Sequence, residues 1–137
     1  MQRLNSSEFA SKVDIIANLF KLAFPETWVD LKPNLNESST LRKNYLDSID
    51  IAIHFPGKSI LCQCSIIIVH IRFYVHPDYE KPYFTAIEAA GYDDTLLMWV
   101  YSGVDCSRFY GVQEPMTSGQ SKLKYVFNQI FDIFARV

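Results

Sequence analysis

Residues 60–79, ILCQCSIIIVHIRFYVHPDY, gather two of the three cysteines, two of the three histidines and an aspartate. Cysteine and histidine at short spacing are the ligands of soft metals, and neighbouring thiols also support redox chemistry. A structural zinc site needs about four ligands, usually from two knuckles. Cys62 and Cys64 make one pair, Cys106 stands alone in VDCSRFYG, and no second knuckle follows. His70 and His76 lie on one face of an extended strand, but six residues at about 3.3 Å each set them roughly 20 Å apart. No metal site and no cofactor are expected, and both cysteines of the pair are read as small core residues.

Polar chemistry concentrates once more at His76-Pro77-Asp78-Tyr79. A histidine and an aspartate two apart at a strand end can orient each other for acid–base work if a pocket encloses them. With Arg108 as a third member, His76 and Asp78 form the candidate site of a small-molecule-binding or hydrolytic function. The competing reading is a turn in which Pro77 ends the strand and Asp78 caps a helix. Asp93-Asp94 reads as a turn, and Ser102 and Ser107 lack the glycine spacing of a nucleophile elbow. Neither GxGxxG nor a P-loop is present. No catalytic residue is assigned.

The rest of the composition narrows the class. The net charge is −2 and the longest basic run is Arg42-Lys43, so no clustered basic face is available for phosphate contacts. Nucleic-acid and membrane-surface partners are therefore not expected. The most apolar stretch, Ile60–Val75, contains Gln63, His70 and Arg72 and is too short to span a bilayer. A polar N-terminus and an odd cysteine count place the chain in the cytoplasm with reduced thiols. Hydrophobic residues make up 49% and charged residues 20%, enough for one folded domain over residues 1–137.

The elements that would position these groups follow from periodicity. Asn5 caps a helix over Ser6–Phe24, with Glu8 in capping-box spacing. Phe9, Val13, Ile16, Phe20 and Ala23 form its apolar stripe, and Ile15, Leu19 and Leu22 widen it towards burial on more than one side. Trp28–Lys32 alternates as a strand, and Pro33–Asn44 is a loop. Ser48–Phe55 is a strand, Pro56-Gly57-Lys58-Ser59 is a hairpin turn, and residues 60–75 return as its second arm. That hairpin sets Ile53 against Cys62 and Ile51 against Cys64, with His54 on the opposite face. Tyr79–Gly91 reads as a helix, with Pro82 in its first turn and Gly91 as its C-cap. Asp94–Tyr101 and Ser107–Val112 are strands, and Thr117–Val137 is a helix striped by Leu123, Val126, Phe127 and Ile130. The sum is an α+β domain, α-β-β-β-α-β-β-α, with a mainly antiparallel five-stranded sheet and N-terminal, middle and C-terminal helices.

This order resembles the type III secretion chaperone fold, with its eight elements at residues 6–24, 28–32, 48–55, 60–75, 80–91, 94–101, 107–112 and 119–136. The resemblance is one of topology, and it implies a small dimer that binds another protein. The long loop at 33–44 and a pI near 5.9 depart from that pattern. Eight Tyr, ten Phe and two Trp point the same way, because aromatics are enriched at interfaces. The expected function is a non-enzymatic, protein-binding accessory or regulatory domain whose partner is another protein or a second copy. Its expected binding surface is Arg72, Phe73 and Tyr74 on the long strand with Trp99, Tyr101, Phe109 and Tyr110.

Overall fold

A computed structural model describes residues 6–33, 48–74, 83–102 and 108–135. Helix α1 (Ser6–Ala23) leads into strand β1 (Trp28–Pro33), and four long or medium strands follow: β2 (Ser48–Ser59), β3 (Cys64–Tyr74), β4 (Tyr83–Asp93) and β5 (Leu96–Ser102). A short β6 (Arg108–Gly111) precedes the last helix, α2 (Thr117–Ala135). The six strands make one antiparallel sheet in chain order, β1-β2-β3-β4-β5-β6. The α+β class stands, with six strands and two helices in place of five and three. The element order that carried the chaperone resemblance includes a middle helix, and the chain has a strand there.

That middle segment is the main correction. Residues 83–93, YFTAIEAAGYD, hold good helix formers, yet they pair with β3 along nearly their whole length and with β5 on the other side. Intrinsic preference is overruled by the place the strand fills between two others. Gly91 is not a helix cap. A Cβ there would lie 2.5 Å from Trp99 Nε1 and 2.6 Å from Trp99 Cζ2, so the missing side chain makes room for the indole. Trp99, fully buried, donates its ring N–H to the Cys62 carbonyl at 2.7 Å.

The second correction concerns the hairpin. β2 runs straight through Pro56-Gly57-Lys58, and the chain reverses at Ile60–Gln63. Proline is tolerated there because β1 pairs with β2 only as far as His54, and the β2–β3 ladder is irregular between His54 and Ser59. The turn closes by Gln63 N–H donating to the Ser59 carbonyl at 2.7 Å, with Gln63 at φ 55°. The resulting register pairs Ile53 with Ile67 and Ile51 with Val69. It differs from the expected one by an odd number of residues, so the opposite face of β3 is turned inward.

Ile51, Ile53, Ile67, Val69, Ile71, Ile87, Trp99, Tyr101 and Phe109 therefore share one buried face. Both helices cover it. Val13, Ile16 and Phe20 of α1, and Leu123, Val126, Phe127 and Ile130 of α2, complete the core. Aromatic edges lock the layers, with Tyr101 4.7 Å from Phe127 and Phe24 5.8 Å from Phe55, ring centre to ring centre. The helices run antiparallel, since Lys12 Nζ donates to the Ile133 carbonyl and Lys122 Nζ to the Ala23 carbonyl. α1 buries a single stripe and not several sides: Ile15 is 47% and Leu22 82% exposed. Pro33, expected to open a loop, is the last residue of β1, while residues 34–44, the Asn5 cap and the residues of the Pro77-Asp78 turn lie outside the described residues. Among the described residues no helix is long and apolar enough to cross a membrane.

The notch at Gly91 sets a test. Gly91→Ala drives a methyl group into the indole and is expected to cost about 3 kcal/mol in urea unfolding, at the upper end for overpacking. Gly57→Ala, where a Cβ meets nothing within 4 Å, is expected to stay within about 0.5 kcal/mol of the parent. Equal costs at the two positions would rule out the notch as the reason for Gly91.

Candidate functional site

With both helices on one side, the other face of the sheet has no covering element among the described residues. Three cross-strand rows run over it. Asp50, His70, Glu88, Ser102 and Arg108 are successive partners from β2 to β6. Next to them run Asp30, Ala52, Ile68, Ala90, Val100 and Tyr110, from β1 to β6. Beyond that lie Trp28, His54, Ile66 and Tyr92. A polar row thus borders a mainly apolar one, which in turn borders an aromatic one. Alternation in the strands dictates this: Asp50, Ala52 and His54 point away from Ile51 and Ile53 by the period of two.

The centre of the face is a concave groove of about 510 Å³. Asp50, His70 and Glu88 line its polar side, and Ile68, Tyr92, Val100 and Tyr110 its apolar side. His70 Nδ1 is bonded to Asp50 Oδ1, which fixes the ring. Arg72 Nε lies 3.7 Å from Glu88 Oε1, at an exposed position. A second histidine–aspartate contact sits on the same face, where His54 Nε2 is 3.2 Å from Asp30 Oδ2. That contact is off hydrogen-bond geometry, and the His54 ring is stacked on Trp28 at 5.3 Å.

The hydroxyl nearest to a histidine relay in the groove is that of Ser102. It stands in line with the Asp50–His70 pair, but two strand spacings, about 9.5 Å, separate it from His70. A base must lie within roughly 3 Å of the proton it takes, so no serine–histidine relay exists here. Among the described residues no three His, Cys, Asp or Glu side chains are grouped to hold a metal ion.

The structure divides the residues expected at a binding surface. Arg72 and Tyr110 are on the uncovered face, and Arg108 sits over the Tyr110 ring at 5.1 Å. Trp99, Tyr101 and Phe109 are core residues under the helices, exposed by 3% or less, and so are not surface. Their aromatic character serves packing. Phe73 and Tyr74 end β3, paired with Phe84 and Tyr83. His76 and Asp78 lie outside the described residues, as does Cys106. Their proposed companion Arg108 stands on β6, three strands from β3. Asp50, His54, Ile68, Glu88, Tyr92 and Ser102 were not singled out as a site. The alternation of SIDIAIHF put Asp50 and His54 on one face, but only the register brings His70 and Glu88 alongside.

Cys62 and Cys64 are fully buried, as their aliphatic setting suggested. Burial pushes the Cys62 thiol up from 9.0 to about 12, against a weaker lowering by the Ser59 side chain. Burial raises Cys64 as well, followed by the neighbouring Cys62.

A family model described as a domain of unknown function matches residues 1–136. No curated protein and no solved structure matches the chain.

The raised thiols give a pH signature. The folded state keeps a Cys62 proton that the unfolded chain releases above about pH 9, so this contribution to stability is complete below pH 9 and is lost as pH rises towards 12. In a Cys106→Ser background, maleimide at pH 8 is expected to label neither remaining thiol in native buffer and both in urea. Rapid labelling of the native protein would place these thiols in contact with solvent.

Proposed function

The chain belongs to this family of domains of unknown function, and we propose that it is a non-catalytic, protein-binding domain that works through the uncovered face of its sheet. The observation that carries this reading is the groove and its setting. One whole face of a six-stranded sheet lacks a covering element among the described residues, and a row of apolar side chains crosses it between polar and aromatic borders. Val100 at 38% and Tyr110 at 43% exposure stand in that row, and Trp28 at 47% stands at its margin. Apolar patches with polar rims mark interaction sites, and a tyrosine offers apolar area with a polar tip. The sheet supplies a rigid platform, so little conformational entropy is lost on docking. The expectation of an aromatic surface therefore moves from Trp99, Tyr101 and Phe109 to Trp28, Tyr92 and Tyr110, with Arg72 and Arg108 as charged neighbours.

The Asp50–His70 pair favours one second reading, in which the groove holds a small polar molecule. Asp50 occupies Nδ1 and leaves Nε2 as the ring atom for a ligand. This replaces the neighbourhood of His76 and Asp78 with a place whose geometry is defined.

A photoreactive amino acid at Ser102, half-buried on the face, separates the two readings. Irradiation in the native host is expected to give one protein adduct of defined mass, at a yield well above that from the same residue at Asn18, exposed on α1. Equal yields at both positions, or no adduct, would sink the protein-binding reading. In the latter case a thermal-shift screen of small polar molecules applies, and a genuine groove ligand raises the Tm of the parent by several degrees and leaves His70→Ala unmoved.

A further inference from the structure

We draw no further inference here: the strongest candidate, the groove over Ala90 on the uncovered face of the sheet, belongs to the site already described, and nothing in the structure shows what covers it, since its carboxylates Asp50 and Glu88 are already matched by His70 and Arg72 and so select no occupant.

Discussion

The indole of Trp99 holds the design together. It fills the space that Gly91 leaves open on the neighbouring strand and ties its N–H to the Cys62 carbonyl in the β2–β3 turn. One side chain thus joins β5, β4 and the turn, and a buried N–H without a partner would cost about 1–3 kcal/mol. The same turn is held from a second direction. The Leu61 carbonyl accepts from Met116 N–H, and it approaches α2 so closely that a Cβ at Gly119 would lie 2.8 Å from the carbonyl carbon. The turn is fixed between the sheet and the start of the last helix.

Fixing that turn fixes everything on the uncovered face. A shift of β3 by one residue against β2 would bring Ile66, Ile68 and His70 inward and expose Ile67, Val69 and Ile71. The polar row exists because Asp50 meets His70, and not a neighbour of His70. In this sense the groove depends on a tryptophan on the other side of the sheet that never touches it.

Much of this was legible in the residues. Both helices declared themselves by stripes such as Val13-Ile16-Phe20 and Leu123-Phe127-Ile130, because a 3.6-residue period has few other uses. The strands at Ser48 and Leu96 were equally plain, and so was the burial of Cys62 and Cys64 among isoleucines. Three things were not. Residues 83–93 have the composition of a helix, and only the partners on either side make them a strand. Pro56-Gly57 is a turn dipeptide by local chemistry, and only the early end of β1 lets a strand run through it. The aromatics Trp99, Tyr101 and Phe109 carry no mark that tells a core face from a binding face, since that depends on which side the helices take. Each miss is a case where a contact distant in sequence decided a local choice.

The helix pair has a consequence for biosynthesis. α1 is the first element and α2 the last, yet Phe20 packs its ring against Phe127 and Lys12 reaches the Ile133 carbonyl. As the chain leaves the ribosome, the complete meander can assemble with half of its inner face still bare. Trp99, Tyr101 and Phe109 stay uncovered until the final nineteen-residue helix emerges and folds over them. Closure across so long a stretch of chain is slow, and exposed apolar sheet is the species that aggregates. Truncation within α2 would therefore leave this apolar sheet face bare.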